Sequence, residues 1–193
     1  YIQDKCSKIN RPVPDVLKEI EKEGLRLAGT EERRAALNDV FSRPVLSSAT
    51  FPDWVDAVLL EAMCYVLSGR AARLFTISSR ESCIPFEAGQ YNARRQAKDV
   101  FRIMYQNKTP EAWLERSFPI IYSKCYGDHA GESLKIGHEQ PRTWLVAMKN
   151  RDLQKAGPLD CSTIIGYLHG ALETLGARDP VVDHPQCGVA PGA

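Results

Sequence analysis

Two periodicities share this chain, and the point where one gives way to the other decides its fold class. Up to about Cys125 apolar residues recur at helical spacing. From Glu132 they alternate instead, through Ser133, Leu134, Lys135 and Ile136. Thr143 to Met148 then places Trp144, Val146 and Met148 on one face, with Leu145 and Ala147 on the other. A period of two is the mark of a half-buried strand. Glu132–Gly137 and Thr143–Met148 therefore read as a hairpin turning around His138 to Pro141. The helical period returns after Gly157-Pro158, from about Leu159 to Leu175, and stops at Gly176. Val181 and Val182 open a last strand. The expected fold is α+β: N-terminal helices, then an antiparallel sheet with a long helix packed on it.

The helical part divides at its turn residues. A polar helix is expected from Asp15 to Gly24, with Gly24 as its C-cap. Thr30 before Glu31-Glu32 reads as the N-cap of a second helix, which reaches Val40. Phe51-Pro52-Asp53 opens a third, closed by Gly69. It is apolar nearly all round from Trp54 to Leu67, which marks a buried helix or a subunit interface. A fourth spans Pro85–Gln106, and Asn107-Lys108 turn the chain. Thr109-Pro110-Glu111 starts a fifth, and Pro119 inside it should kink or divide it. Residues 1–50 are read as an N-terminal helical extension and 51–193 as the principal domain.

Composition narrows the function classes. The chain has 193 residues, 25 Lys and Arg against 24 Asp and Glu, 44% hydrophobic residues and 25% charged. A net charge of +1 gives no field for broad phosphate neutralisation or for a polybasic membrane anchor. The segment from Trp54 to Leu67 carries Asp56 and Glu61 and is too short to span a bilayer. No basic, apolar leader opens the sequence. The expectation is a cytoplasmic protein without nucleic-acid binding or membrane insertion. In that reducing setting the six cysteines read as thiols or metal ligands rather than disulfides. Cys64 and Cys125 fall on apolar helical faces and read as core.

Three groups of residues carry candidate chemistry. Trp113, Phe118, Tyr122, Trp144 and Tyr167 supply aromatic surface for an apolar pocket, or for plain core. His169 is the candidate polar group in that pocket, or an axial haem ligand, although haem is not the expected cofactor. Gly166 and Gly170 lie on one helix face, where they let a sheet backbone or a ligand approach closely. Cys161, His184 and Cys187 are of zinc-ligand type, and His184-Pro-Gln-Cys187 puts two of them on a short turn. His129 and His138 read as solvated groups, and Cys125 with His129 is a weak nucleophile-base pair. No Gly-rich phosphate loop and no G-x-S-x-G elbow is present.

The run from Cys161 through Gly166-Tyr167-Leu168-His169-Gly170 to Ala177, followed by Val181, Val182, His184 and Cys187, resembles the C-terminal signature of the 4-vinyl reductase domain. Upstream, Thr109-Pro-Glu-Ala-Trp-Leu-Glu-Arg116 with Tyr122 and Gly127 resembles uncharacterised myxobacterial paralogues built on that domain. The resemblance covers roughly Phe51 to Cys187. It implies a fold like the Bet3-type subunits of the TRAPP vesicle-tethering complex, binding of small apolar ligands, and dimerisation through helices. It also implies zinc at Cys161, His184 and Cys187. His184 stands where the family has an acidic ligand, and the family's last cysteine would fall where the chain stops. The expected function is a non-enzymatic ligand-binding or adaptor module that forms a homodimer or engages a protein partner. The alternative is an enzyme acting on a small aromatic or tetrapyrrole-like substrate, with His169 or His129 as proton donor.

Overall fold

The computed structural model describes residues 1–42, 53–69, 76, 78–99, 101–126, 134–148 and 158–185. The chain opens with four helices: α1 (Ile2–Lys8), α2 (Val13–Leu27), α3 (Glu31–Ser42) and α4 (Asp53–Ser68). Helix α1 lies upstream of any expected element. In α2, Val16, Ile20 and Gly24 are four apart and form the buried face. Gly24 is therefore not the expected C-cap. The helix runs on to Leu27, and Gly29 at φ +76° supplies the left-handed residue that ends it. Thr30 caps α3 as expected, accepting the Arg33 N–H at 3.3 Å.

Between Trp54 and Leu67 only Asp56 of α4 is exposed. Val55, Ala62, Met63 and Cys64 are buried, and the rest of the stretch is half-buried. Ala62, Met63 and Cys64 pack with Cys6 of α1, Val16 and Ile20 of α2, and Ile84. Val55 packs with Ala28 and Leu37 of α3. The N-terminal helices thus pack on α4 in two clusters. That accounts for a helix apolar on all sides.

The expected helix Pro85–Gln106 is two: α5 (Ile84–Gln96) and α6 (Arg102–Tyr105). No Gly or Pro separates them. The break re-aims Phe101 and Met104 onto an aromatic core, so packing overrides local propensity. The next helix comprises α7 (Pro110–Ala112), a π-helical turn (Trp113–Ser117) and α8 (Phe118–Tyr126). Thr109 caps it through the Ala112 N–H at 3.2 Å. Pro119 neither divides nor ends it. Pro119 has no N–H and its ring would meet the Glu115 carbonyl in a regular helix. The π turn just before it, in which the Phe118 N–H reaches back to the Trp113 carbonyl, takes up the misfit.

Strands β1 (Leu134–Gln140) and β2 (Thr143–Met148) pair antiparallel, from Leu134 opposite Met148 to Gln140 opposite Thr143. The turn is tighter than expected. It consists of Pro141 and Arg142, the latter at φ 67°, with an irregularity between His138 and Gln140. The alternation holds: Leu134, Ile136, Trp144, Val146 and Met148 face the core.

The long helix α9 (Pro158–Thr174) packs along α5 and over the hairpin region. It ends with Gly176 at φ +85°. The chain then doubles back. Val182 packs on Phe86 and Ile165, and Asp183 forms one antiparallel bridge with Ser78. The expected last strand is only this bridge, since Pro180 and Pro185 on either side cannot donate to a ladder. The architecture is α+β, and 66% of the described residues are helical. Among the described residues no helix is long and apolar enough to cross a membrane.

Candidate functional site: an aromatic core behind a glycine crossing

Gly166 and Gly170 meet a helix, not a sheet or a ligand. A Cβ on Gly166 would lie 1.9 Å from the Phe86 carbonyl oxygen, and one on Gly170 would lie 2.8 Å from Gln90 Cα. On the α5 side a Cβ on Gly89 would lie 2.1 Å from the Thr163 carbonyl oxygen. Backbone rests on backbone, and three glycines are the condition for it. Ala93, fully buried, continues the α5 row one turn on.

His169 belongs to this crossing. The Gln90 side-chain amide nitrogen is hydrogen-bonded to His169 Nδ1 at 2.8 Å. Glu173 Oε2 is 3.6 Å from the same nitrogen and receives Arg94 at 2.8 Å. The Phe86 ring lies edge-on at 5.6 Å. The imidazole therefore ties α9 to α5 and lies outside the main aromatic cluster.

The other five predicted pocket residues do come together. Trp113, fully buried at the π turn, has its ring centroid 5.4 Å from Phe118, 5.2 Å from Tyr105 and 6.3 Å from Tyr167. Phe118 is 5.9 Å from Tyr122 and 6.4 Å from Tyr167. Trp144 packs on this cluster from β2, with the His138 ring edge-on at 4.7 Å. Polar atoms thread the cluster. Tyr167 donates its hydroxyl to Gln96 Oε1 at 2.8 Å and meets the Tyr105 hydroxyl at 3.0 Å. The indole N–H groups of Trp113 and Trp144 are buried and have no hydrogen-bond partner among the described residues. Each such buried donor costs about 1–3 kcal/mol.

Gln96 and Tyr105 were not among the predicted residues. They close the ends of α5 and α6, where an uninterrupted helix would have spread them apart. Of the zinc-type residues, Cys161 sits in the first turn of α9 and His184 on the returning segment. Cys187 and His129 lie outside the described residues. The segment from 177 to 185 runs back along α9, with the Ala177 N–H on the Leu172 carbonyl and Val182 against Ile165. That direction brings His184 toward the end of α9 that carries Cys161. Among the described residues alone, no three His, Cys, Asp or Glu side chains form a metal-holding group. Cys64 is core as expected, and burial pushes its thiol up to about 12. No family model, curated protein or solved structure matches the chain.

Proposed function

We propose that this chain is a non-enzymatic binding module of the 4-vinyl-reductase type, taking a small apolar ligand between the hairpin and the Trp113 cluster. The observation that carries this reading is the pair of buried, unpartnered indole N–H groups of Trp113 and Trp144 in an otherwise apolar aromatic environment. A ligand with an apolar body and a hydrogen-bond acceptor would offer them a partner. The cluster's other polar atoms include the phenols of Tyr105 and Tyr167 and the Gln96 amide, groups suited to fixing a ligand's orientation. A two-stranded hairpin is marginal by itself, so β1 and β2 are the element that moves aside on entry. Zinc at Cys161, His184 and Cys187 would pin the returning segment to the start of α9. For self-association through helices, the exposed apolar helical residues are Leu17, Ile103, 75% exposed, and Ile120, beside the half-buried apolar residues of α4.

The test is a titration with acetophenone, which offers a carbonyl acceptor, against ethylbenzene, which does not. It is read on the ¹⁵N-labelled indole N–H signals of Trp54, Trp113 and Trp144. Saturable downfield shifts of Trp113 and Trp144 alone, with acetophenone only, support the reading. Equal effects of both compounds, or none, refute it. Zinc is checked by metal content with Cys187→Ser and Cys161→Ser. Assembly is checked by light scattering with Ile103→Glu plus Ile120→Glu.

A further inference from the structure

A cleft of about 250 Å³ lies against the N-terminal core. Its walls come from four stretches: Lys5 and Ile9 at α1, Leu67 and Ser68 at the end of α4, Ser82 and Cys83 before α5, and Ile84 and Glu87 in its first turn. Ile9, Leu67 and Ile84 make one apolar side. The polar side is built around Glu87. Its Oε1 accepts the Ser82 hydroxyl at 3.0 Å, and its Oε2 accepts the Tyr1 hydroxyl at 3.3 Å and pairs with the Lys5 ammonium. Burial alone would raise the Glu87 carboxyl, but the hydrogen bonds from Lys5 and Ser82 overcome it and hold the group below its usual value. The carboxylate is thus charged and fixed at neutral pH.

Both members of the pair line the cleft, and each keeps unused hydrogen-bonding capacity. An ammonium has three donors, and Lys5 uses one on Glu87. A carboxylate oxygen has two acceptor positions, and Glu87 Oε1 uses one on Ser82. The cleft therefore offers one cationic and one anionic contact side by side, next to an apolar wall, with no net charge. A plain anion would meet Glu87, and a plain cation would meet Lys5. A zwitterion whose two charges are separated by a single carbon matches both. The cleft is also below the roughly 300 Å³ at which sites for drug-sized ligands begin.

We propose that this cleft binds an apolar α-amino acid. Its carboxylate meets Lys5, its ammonium meets Glu87 Oε1, and its side chain lies on Ile9, Leu67 and Ile84. The site is separate from the aromatic core, so either reading stands if the other fails. The experiment is calorimetric titration of the full chain with L-leucine, 4-methylpentanoate, which lacks the ammonium, and isoamylamine, which lacks the carboxylate. Leucine should bind with a Kd on the order of 100 μM, and each truncated analogue at least about tenfold more weakly. Glu87→Gln should erase the preference for leucine over 4-methylpentanoate. Ile9→Trp, at the exposed mouth, should block leucine while leaving the circular-dichroism spectrum and melting curve of the native fold. Absence of saturable leucine binding would overturn the proposal. So would equal binding of 4-methylpentanoate, or leucine binding unaffected by Ile9→Trp in folded protein.

Discussion

Replacing Gly166 by Ala tests the tightest glycine contact among the described residues, because two effects of opposite sign compete there. In an exposed helix interior, Gly→Ala stabilises by about 1 kcal/mol through propensity. At Gly166 the new Cβ would sit 1.9 Å from the Phe86 carbonyl oxygen and 2.7 Å from its carbonyl carbon. Those are backbone atoms, so no rotamer change relieves the clash. Helices α5 and α9 must separate by more than an ångström along much of their contact. Overpacking costs about 1–3 kcal/mol in general, and a backbone clash belongs at the upper end. The expected net is a loss of about 2 kcal/mol. Gly24 in α2 is the internal control. Its Cβ would meet Leu59, Phe41 and Ala62 at 3.8–4.0 Å, ordinary contact distances. Gly24→Ala should therefore stabilise by about 0.5–1 kcal/mol. Urea unfolding with linear extrapolation reads both, and a 1 kcal/mol change corresponds to a shift of about 2–4 °C in Tm. Gly89→Ala combined with Gly166→Ala should cost less than the sum, since one separation relieves both clashes. A neutral or stabilising Gly166→Ala would refute backbone contact at this crossing.

Three further outcomes follow from other parts of the fold. Ser162 is fully buried and its hydroxyl both accepts the Thr76 N–H at 2.8 Å and donates to the Thr76 carbonyl at 3.0 Å; Ser162→Ala orphans both and should cost about 2–3 kcal/mol in urea unfolding. The lowered Glu87 carboxyl contributes stability that is full above the unfolded value of about 4.3 and is lost as pH falls through the folded one. The stability gap between the native chain and Glu87→Gln should accordingly narrow as unfolding is measured at successively lower pH, and a gap independent of pH would remove the assignment. Cys64, with its thiol pushed up to about 12 and no exposed surface, should resist a disulfide-exchange reagent at pH 8 until the protein is unfolded; rapid labelling of the native Cys64 would contradict its burial.

Much of the architecture was legible because its signals are local. Thr30 and Thr109 act as caps through bonds to N–H groups three residues on. Gly69 and Gly176 end helices at φ +81° and +85°. The alternation from Leu134 to Met148 gave the hairpin its buried face. What failed locally failed for a tertiary reason. Gly24 has the residue type of a C-cap, yet it stands on the buried face of α2, four residues after Ile20, and the left-handed turn falls to Gly29. The split between α5 and α6 has no breaker in the sequence and follows from the burial of Phe101 and Met104. Pro119 has the type of a breaker, yet one π turn absorbs it.

The candidate sites follow the same rule at longer range. Trp113, Phe118 and Tyr122 share one helix, so their spacing already hinted at a common face, and Tyr167 and Trp144 pack with them. The role of His169 was out of reach, because it is set by Gln90, 79 positions away. Gly166 and Gly170 showed that something approaches α9 closely, but not what. The answer required Gly89, a lone glycine in α5 with no periodic partner of its own. The N-terminal cleft is the extreme case. Lys5, Leu67, Ser82 and Glu87 come from separate elements, and none is unusual in its local sequence. A site assembled this way leaves no motif. Its evidence is the joining of a charged pair to an apolar wall, which exists only once the first helices have packed on α4.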